Sequence, residues 1–470
     1  MTIYHISAEC FPVAKVGGLA DVVGALPKYL NQQGHSTKVV VPGYDNKFVN
    51  ENSFTIVHNG KLKMGSFYFD YSILKEKTNK LGFELYLIAI PKLFDRPNVY
   101  SYDDDSDRFT AFQIAFLNWI IETNQRPDIL HCHDHHTGLI PFMIQNCYNY
   151  DTLKNIPTVL TIHNGQYQGW MGFDKLQYIP SFPQSKTHFL AWNDLINPLA
   201  SAIKCAWKIT TVSPTYLDEI SYSANGLENL LRFERFKSVG ILNGIDTQIW
   251  NPKTDELLTY YYDIDDFKQG KLNNKKFLCQ QFKLDPSKPL FTFIGRLVHE
   301  KGADLLPEVC DLILRRNPNE INVLILGSGD STVENELKQL QNFHHGNYNC
   351  YIGYNEKLAH IIYAGADFLL MPSRVEPCGL NQMYALRYGT IPIVRRTGGL
   401  KDTIIDSGDG GFGICHDNVS ISDINYSVTR AIDLYNDKTK LSNTITKAMQ
   451  QDHSWDSVAQ QYINIYQSLK

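Results

Sequence analysis

Short apolar segments alternate with longer helical patterns along almost the whole chain. Strands that alternate with helices in this way are typical of parallel α/β sheets. The pattern divides into two series of strands. The first series is predicted at Ile3–Ser7, Lys38–Val41, Glu84–Ile90, Ile129–His131, Thr158–Ile162 and Ile209–Val212, and the second at Leu290–Ile294, Val323–Leu326, Cys350–Ile352, Phe368–Met371 and Ile391–Val394.

Three segments depart from this pattern. A strand-rich stretch from Phe54 to Ile90 alternates in polarity, which predicts an antiparallel extension at the edge of the first sheet. The segment Asn251–Lys288 is polar and has no strand signal, so we expect an excursion of the second domain. The stretch Trp455–Leu469 predicts a helix that packs back on the first domain. Its apolar face carries Val458, Tyr462, Ile465 and Tyr466.

Two series of strands predict two Rossmann-like domains, because a chain of 470 residues is too long for one core. We place the junction near Asn243-Gly-Ile-Asp246. This gives an N-terminal domain at 1–242, a C-terminal domain at 243–453 and a terminal helix at 454–470. Ligands of open α/β sheets bind outside the carboxyl ends of the strands. The two parallel sheets are therefore expected to face each other across a cleft, with functional loops after the strands.

Composition narrows the classes of function. Hydrophobic residues make up 43% of the chain and aromatic residues 12%, as in a folded enzyme. The formal net charge of −5 argues against nucleic acid as a partner, because phosphate binding needs a basic surplus. No apolar run approaches the roughly 18 residues of a membrane helix, and the chain does not begin like a signal peptide. The nine scattered cysteines are expected to be reduced thiols in a cytoplasmic protein.

A glycine-rich turn after the first strand reads Lys15-Val-Gly-Gly-Leu-Ala-Asp21. Adjacent glycines let a ligand approach the backbone, and the start of a helix favours negative charge. Lys15 suits a phosphate, whereas Asp21 would repel one. This mixed charge suits a ligand with an anionic end and a hydroxyl-rich end, such as a nucleotide sugar. The alternative is an ordinary turn whose glycines serve packing and whose lysine is solvated.

Histidines cluster after two neighbouring strands of the first domain. Alternation along the segment after Leu130 places His131, His133 and His135 on one face, which is a partial zinc site. No spaced cysteine pair or His-Glu-x-x-His helix supports zinc, and histidines that cap a helix or line the cleft explain the pattern as well. We therefore expect no metal. Asp134 is an acid at a strand end, and His163 at the next strand tip suits a sugar hydroxyl or a backbone carbonyl.

Two basic residues flank a turn in the second domain, within Gly295-Arg296-Leu-Val-His-Glu-Lys301. Arg296 and Lys301 suit a diphosphate and the charge that develops on a leaving group. The alternative is a solvated basic turn, in which Glu300 neutralises one of them. The later turn Leu326-Gly-Ser-Gly lacks the third glycine of a dinucleotide fingerprint, so it adds little support for an oxidoreductase.

The most specific cluster reads Pro372-Ser-Arg-Val-Glu376-Pro-Cys-Gly-Leu380. Glu376 suits ribose or sugar hydroxyls in a bidentate contact, and the amides from Cys378 to Leu380 at the helix start suit phosphate oxygens. One strand later, Arg396-Thr-Gly-Gly repeats a glycine pair. Each of these segments alone is explained by a tight turn. Five such turns after strands of both domains indicate a binding site.

Together these motifs resemble those of bacterial glycogen synthases and plant starch synthases, the glycosyltransferase family 5 enzymes of GT-B architecture. The resemblance covers essentially the whole chain. It implies transfer of glucose from ADP-glucose to the non-reducing end of an α-1,4-glucan such as glycogen, with retention of configuration and no cofactor. The motifs that carry it are Lys15–Asp21, His133-Asp134, His163-Asn164, Asn243-Gly-Ile-Asp246, Gly295-Arg296 with Lys301, Glu376-Pro-Cys-Gly-Leu and Thr397-Gly-Gly-Leu.

The resemblance also implies a role for each residue that matches the family motifs. It makes the N-terminal domain the acceptor side and the C-terminal domain the nucleotide-sugar side. The residues implied at the donor diphosphate are Lys15, Arg296, Lys301, Cys378, Gly379 and Leu380, with Gly18 allowing backbone approach. The residues implied at the sugar or nucleoside are Asp21 at hydroxyls, Asp134, His163, Asn164 and Asn243 around the glucosyl ring, Glu376 near the 3- and 4-hydroxyls and Tyr354 against the adenine.

Three positions qualify the resemblance. Many family members have Trp where this chain has His135, on the acceptor side, and Thr at the position of Asn381, beside a phosphate or sugar contact. Tyr384 stands where related GT-B families carry a second glutamate, which favours family 5 over the sucrose- and trehalose-type transferases. The alternatives are another GT-B transferase that uses UDP-glucose or a different acceptor, a two-Rossmann oxidoreductase, a zinc hydrolase and an inactive glucan-binding module.

Overall fold

The chain folds into two compact units in a computed structural model that describes residues 1–470. Unit 1 contains Met1–Asn243 together with Trp455–Lys470, and unit 2 contains Gly244–Ser454. Each unit is built on one mainly parallel sheet with helices packed against it. The predicted α/β class with two parallel sheets is therefore confirmed. None of the helices is both long enough and apolar enough to cross a bilayer.

The sheet of unit 1 has nine strands in the order β11-β10-β7-β6-β1-β2-β5-β4-β3. All six strands of the first predicted series are present, and β11 was missed because it has only three residues. A separate two-stranded hairpin is formed by β8 and β9. The strands are β1 Thr2–Ile6, β2 Ser36–Pro42, β3 Phe54–Met64, β4 Phe67–Glu76, β5 Glu84–Ala89, β6 Ile129–His133, β7 Thr158–Ile162, β8 Ala191–Trp192, β9 Leu195–Ile196, β10 Lys208–Thr211 and β11 Ser238–Gly240.

One edge of this sheet is antiparallel, as the alternating polarity predicts. The strand β4 pairs antiparallel with both β3 and β5, whereas the other pairs in the sheet are parallel. The burial along β4 follows this alternation, because Tyr71 and Ile73 are buried while Asp70 is exposed and Ser72 is half-buried. The carboxyl ends of the central strands β1, β6 and β7 all lie at one edge of the parallel region, since these strands run the same way.

The helices of unit 1 include the last helix of the chain. Its buried residues Trp455, Tyr462 and Tyr466 share a hydrophobic core with Val22 and Leu26, and Val458 is buried while Ile465 is only half-buried. Burial of one face at helical spacing keeps this segment on unit 1. The helices are α1 Gly18–Gln32, α2 Lys47–Glu51, α3 Asp105–Glu122, α4 Ile140–Asn146, α5 Pro198–Cys205, α6 Pro214–Glu219, α7 Glu228–Phe233 and, at the end of the chain, α16 Trp455–Ser468.

Unit 2 has an entirely parallel six-stranded sheet in the order β14-β13-β12-β15-β16-β17. The five predicted strands are all present, and the short final strand was missed. Apolar runs such as Leu290–Phe293 are buried, as expected for a sheet covered by helices on both faces. The strands are β12 Leu290–Leu297, β13 Asn322–Gly329, β14 Tyr348–Ile352, β15 Phe368–Met371, β16 Ile391–Arg395 and β17 Ile414–His416.

The polar segment Asn251–Lys288 contains a helix that its sequence pattern does not predict. This helix, α8, buries Lys271, Asn274 and Lys275, and each has polar partners. Lys275 pairs with Asp367 at 2.6 Å, and the Asn274 amide donates to the Tyr260 carbonyl. The helices of unit 2 are α8 Phe267–Phe282, α9 Leu306–Arg316, α10 Ser331–Leu340, α11 Glu356–Gly365, α12 Asn381–Arg387, α13 Gly398–Thr403, α14 Ile421–Asn436 and α15 Lys438–Met449.

Candidate active site

The glycine-rich turn between β1 and α1 is held by a buried carboxylate, Glu9. Its Oε2 accepts hydrogen bonds from the amides of Val16 at 2.6 Å and Gly17 at 2.9 Å, and its Oε1 accepts one from the Tyr100 hydroxyl at 2.7 Å. Burial raises the pKa of Glu9, against the opposing effect of these hydrogen bonds. A side chain from the start of the loop therefore fixes the backbone just before the glycine pair.

The two charged residues of this turn pair with each other. Lys15 Nζ lies 2.6 Å from Asp21 Oδ1, and the lysine also lies over the Phe11 ring. Both side chains remain partly exposed. An anionic ligand group that binds Lys15 must therefore compete with Asp21 or share the lysine with it.

The glycine pair itself has no packing role within unit 1. A Cβ added at Gly17 or Gly18 would meet no atom within 4 Å, and Gly17 has an extended φ of −141° that any residue adopts. In contrast, a Cβ at Gly24 in the same helix would lie 2.4 Å from the Phe11 carbonyl oxygen. Packing therefore explains Gly24 of the helix, but the alternative in which the glycines of the turn serve packing does not explain Gly17 or Gly18, whose open surface suits ligand approach.

This contrast leads to a prediction for Gly18→Ala. The free energy of unfolding of the variant is expected to lie within about 0.5 kcal/mol of the wild-type value. Its kcat/KM is expected to fall about tenfold or more, because the added methyl group obstructs the ligand. Gly24→Ala is the matched control and is expected to lose about 1–3 kcal/mol of stability through overpacking. Denaturant unfolding and steady-state kinetics measure the two effects. A fully active Gly18→Ala enzyme would contradict the ligand-related role.

Asp134 lies directly after β6 and holds the turn after β7. Its Oδ1 accepts hydrogen bonds from the amides of His163 at 2.7 Å and Asn164 at 3.5 Å. The residue has φ 55° although it is not glycine, a strained conformation of the kind that clusters at functional sites. Burial raises its pKa to about 7, with a smaller contribution from the charge of Glu9. The two strand ends thus form one connected polar site.

The raised pKa of Asp134 gives a pH-dependent prediction. The folded state holds this proton more tightly than the unfolded state, so the resulting stabilisation is lost as pH rises from about 4 to about 7. Asp134→Asn cannot ionise. Its unfolding free energy relative to the wild type is therefore expected to rise by about 1.4 kcal/mol for each pH unit in this interval. Urea unfolding at pH 5 and pH 7 measures the difference, and a difference independent of pH would contradict the assignment.

The histidine cluster differs from the sequence prediction. His131 and His133 lie at alternate positions of β6 and share a face as predicted, although β6 runs two residues beyond the predicted strand end at His131. The prediction that His135 shares their face is wrong. The strand ends at His133, and the turn at Asp134 puts His135 in a short 3₁₀ helix against Gly169. The third histidine beside His131 and His133 is His5 of β1, and one nitrogen from each of these three rings lies within 4.8 Å of the other two.

Most ring nitrogens of these three histidines already have a hydrogen-bond partner within the protein. His131 bonds Tyr466 at 2.8 Å and Thr161 at 2.6 Å. His133 bonds His5 at 3.1 Å and His163 at 3.0 Å. A metal would have to replace these bonds in a core where all three rings are fully buried. The arrangement therefore fits hydrogen bonding better than zinc ligation.

Two asparagines of unit 1 complete the predicted sugar-binding set. The Asn164 side chain accepts a hydrogen bond from the Gln166 amide at 3.0 Å, which shapes the turn after His163. Asn243 follows β11 and is buried, and its Oδ1 has no hydrogen-bond partner in the chain. Buried polar atoms are normally paired, so this unpaired oxygen makes Asn243 a candidate acceptor for a ligand hydroxyl.

The central feature of unit 2 is an ion pair between Lys301 and Glu376. Lys301 Nζ lies 2.5 Å from Glu376 Oε1, and the Ser373 hydroxyl donates to Glu376 Oε2 at 2.9 Å. The Glu376 side chain is 7% exposed, whereas the lysine side chain is 24% exposed. The lysine thus stands closer to solvent than the carboxylate that orients it.

Arg296 stands at the end of β12 and is more loosely held. Its guanidinium is 3.8 Å from Glu300, and its side chain is 55% exposed. The alternative in which Glu300 neutralises a basic residue of this turn therefore holds weakly for Arg296, and Lys301 pairs with Glu376 instead. An exposed pair at this distance contributes little stability, so the guanidinium is free to rearrange around a ligand.

Glycines explain how the Lys301 and Glu376 loops come together. A Cβ on Gly302 would lie 2.4 Å from the Pro372 carbonyl oxygen, and a Cβ on Gly398 would lie 2.0 Å from that of Glu376. A Cβ on Gly399 would lie 2.1 Å from the Cys378 carbonyl oxygen. The second glycine pair therefore supports the Glu376 loop from behind. It differs in this respect from the open pair at Gly17 and Gly18.

The remaining predicted residues of unit 2 follow the strands. Tyr354 comes after β14 and its ring is 77% exposed. Cys378 is buried, Gly379 has φ 74°, and Leu380 precedes α12. Of the two unusual positions here, Asn381 donates to the Ile294 carbonyl at 2.7 Å, and Tyr384 stacks on Trp250 with ring centres 3.7 Å apart.

Three residues of the unit 1 site were missed by sequence reasoning. Glu9 and Tyr100 hold the glycine-rich turn, although 91 residues separate them, and His5 reaches His133 from another strand. None belongs to a local motif. The sequence offers one signal for two of them, a polar or charged residue where an apolar one is expected. His5 lies inside an apolar strand, and Glu9 follows the end of that strand.

Two family descriptions match the chain. The model for the starch synthase catalytic domain matches residues 2–233, and the model for group 1 glycosyl transferases matches residues 274–448. The chain is 62% identical to a glycogen synthase from Flavobacterium johnsoniae, with 99% of this chain and 98% of that protein covered. It is 37% identical to a glycogen synthase from Streptococcus gordonii over the full length of both.

Solved structures agree with these matches. The catalytic domain of starch synthase IV from Arabidopsis thaliana, bound to ADP and acarbose, superposes with a TM-score of 0.90 at 32% identity and covers 100% of this chain and 99% of that one. A sucrose-phosphate synthase from Thermosynechococcus elongatus superposes with a TM-score of 0.63 at 15% identity over 100% and 98% of the two chains, which shows the fold alone. The fold is GT-B, and the chain belongs to the family of glycogen and starch synthases, which are glycosyltransferases.

Proposed function

We propose that the protein elongates glycogen by transferring glucose from ADP-glucose to the non-reducing end of an α-1,4-glucan, with retention of configuration. The observation that carries the proposal is the Lys301–Glu376 pair, together with the exposed Arg296 at the start of the same turn as Lys301. It combines cations suited to a diphosphate with a carboxylate suited to sugar hydroxyls. The ADP bound to the starch synthase IV structure supports the choice of nucleotide.

Each unit contributes a different part of the chemistry. Unit 2 serves as the nucleotide-sugar domain: Arg296, Lys301 and the segment Cys378–Leu380 bind the diphosphate, and the exposed Tyr354 ring stacks on the adenine. Unit 1 serves the acceptor and the glucosyl ring through the residues after β6, β7 and β11. These are Asp134, His163, Asn164 and Asn243. In the glycine-rich turn of the same unit, Lys15 binds the donor diphosphate, Gly18 allows the backbone to approach the donor, and Asp21 binds hydroxyls of the donor sugar or nucleoside.

The reaction proceeds by displacement on one face of the sugar through an oxocarbenium-like state. The bond between C1 and the phosphate oxygen breaks, the bond between C1 and the acceptor oxygen forms, and the departing phosphate takes the acceptor proton. Arg296 and Lys301 stabilise the charge on ADP, so the step needs no metal. Neither Asp134, which holds two amides, nor Glu376, which pairs with Lys301, is placed as a free nucleophile. Trapping of a covalent glucosyl-enzyme on either would overturn this mechanism.

The decisive experiment compares ADP-glucose with UDP-glucose as labelled donors and glycogen as acceptor. Incorporation of label into glycogen from ADP-glucose at a much higher kcat/KM supports the proposal. A preference for UDP-glucose favours the alternative transferase, and transfer from neither donor to glycogen would refute the glucan activity.

The nine cysteines are all unpaired thiols, which supports a cytoplasmic location because disulfides form in oxidising compartments.

A further inference from the structure

Three buried imidazoles form a hydrogen-bonded row that ends at His163. His5 Nδ1 lies 3.1 Å from His133 Nε2, and His133 Nδ1 lies 3.0 Å from His163 Nε2. Burial lowers the pKa of all three, so the rings are neutral near pH 7. In a neutral imidazole one nitrogen carries a proton and the other carries a lone pair. Each contact in the row therefore joins one N–H to one lone pair.

The two contacts cannot be set independently. If His5 Nδ1 donates to His133 Nε2, the proton of His133 lies on Nδ1 and is donated to His163 Nε2. The proton of His163 then lies on its own Nδ1. The opposite order puts all three protons on Nε2. The row therefore has two states, and it determines whether Nδ1 of His163 carries an N–H or a lone pair.

The buried end of the row favours the first state. His5 Nε2 is buried and has no hydrogen-bond partner. In the second state this atom is a buried N–H without an acceptor, which costs the full desolvation of an unpaired donor. In the first state it is an unprotonated nitrogen, and the donor appears at His163 Nδ1, for which the chain provides no partner. The N–H that has no partner in the chain thus lies on His163 in the first state, and on the buried His5 in the second.

We propose that His5 and His133 are positioning residues that hold His163 as its Nδ1–H tautomer, so that His163 offers a hydrogen-bond donor to an oxygen of the bound sugar. The role of His163 toward the sugar rests on the proposed function. The tautomer itself does not, because it is a property of the protein without ligand. A fixed donor recognises an oxygen lone pair and discriminates against a sugar that lacks this oxygen.

His131 provides an internal comparison. Its ring stacks on His133 with centres 4.3 Å apart, yet its nitrogens bond Tyr466 and Thr161 and take no part in the row. Tyr466→Phe therefore removes a buried hydrogen bond next to the row without touching a member of it. This variant is the matched control for loss of buried polar structure alone.

The tautomer is measured directly by nitrogen NMR of the full-length protein labelled with ¹⁵N-histidine near pH 7.5. We expect Nδ1–H signals from His5, His133 and His163, each assigned by the signal lost in a substitution of that residue. An Nε2–H tautomer at His163 would overturn the proposal and leave the transferase function intact. Conversely, failure of glucan synthesis would refute the function without changing the tautomer.

The effect on catalysis is tested with His5→Phe, which removes the donor at the start of the row. His163 is expected to populate both tautomers in this variant, and kcat/KM is expected to fall by about tenfold, the scale of one hydrogen bond. His5→Asn, whose amide can donate to His133, is expected to restore most of the activity. Tyr466→Phe is expected to keep both the tautomer and kcat/KM. Equal losses in Tyr466→Phe and His5→Phe, with no rescue by Asn, would contradict the proposal.

Discussion

Lys301→Ala is expected to lower kcat by at least about a hundredfold, because one preorganised charge at a developing anion is typically worth that much. Lys301 is oriented by its ion pair with Glu376 and stands partly exposed, so its ammonium group is placed before ligand arrives. Arg296→Ala is expected to show a similar loss. Steady-state rates of glucose incorporation into glycogen measure both effects. Turnover close to that of the wild type in either variant would refute the diphosphate assignment.

The two variants differ in their effect on stability, which separates catalysis from folding. Lys301→Ala leaves the buried Glu376 carboxylate without its counter-charge, so a lower unfolding free energy is expected. Arg296 makes only a long contact with Glu300, and its loss is expected to change stability by less than about 0.5 kcal/mol. Arg315→Ala is the matched surface control, because this exposed arginine pairs with Asp311 within α9. It is expected to retain full activity.

Glu376→Gln is expected to lower kcat/KM by about a thousandfold. The carboxylate offers charged acceptors to sugar hydroxyls, and such hydrogen bonds are worth about 1.5–3 kcal/mol each. The amide keeps the shape of the side chain but loses the charge and one acceptor, and it also releases Lys301. Kinetics with ADP-glucose and glycogen measure the loss. An active Glu376→Gln enzyme would remove this residue from the catalytic set.

Ser373→Ala provides a graded control for this prediction. It removes the hydroxyl that donates to Glu376 Oε2 but leaves the ion pair with Lys301, so a loss of about tenfold or less is expected. The double variant Lys301→Ala/Glu376→Gln is expected to lose less than the product of the two single effects, because the residues act as a pair. Strictly multiplicative losses would mean that they act independently.

Most of the fold follows from the apolar pattern, and the exceptions have physical causes. Buried parallel strands such as Thr158–Ile162 carry enough apolar residues to stand out. The strand Ser238–Gly240 is too short to show a pattern. The helix Phe267–Phe282 buries Lys271 and Lys275 in polar contacts, so its inner face does not look apolar in the sequence.

The candidate site also combines residues that local sequence motifs indicate with contacts that only the fold creates. Residues in local motifs, such as Lys301 and Glu376, could be proposed from the sequence because each motif lies on one loop. The pairing of these two residues was not predicted, since 75 positions separate them and only the sheet brings their loops together. The error at His135 has a local cause, because one residue with positive φ at Asp134 ends the alternation of the strand. Glu9 acts on the backbone of the turn, which leaves no trace in the motif.

The position of the last helix has a consequence for how the protein is made. Unit 2 is one continuous segment, Gly244–Ser454, whereas unit 1 needs residues from both sides of it. Trp455, Tyr462 and Tyr466 belong to the core of unit 1, and the Tyr466 hydroxyl bonds His131. During synthesis on the ribosome, unit 2 can therefore fold as soon as its residues have emerged. Unit 1, although its first segment is translated before unit 2, completes its core only when Trp455–Lys470, which are translated after unit 2, have also emerged.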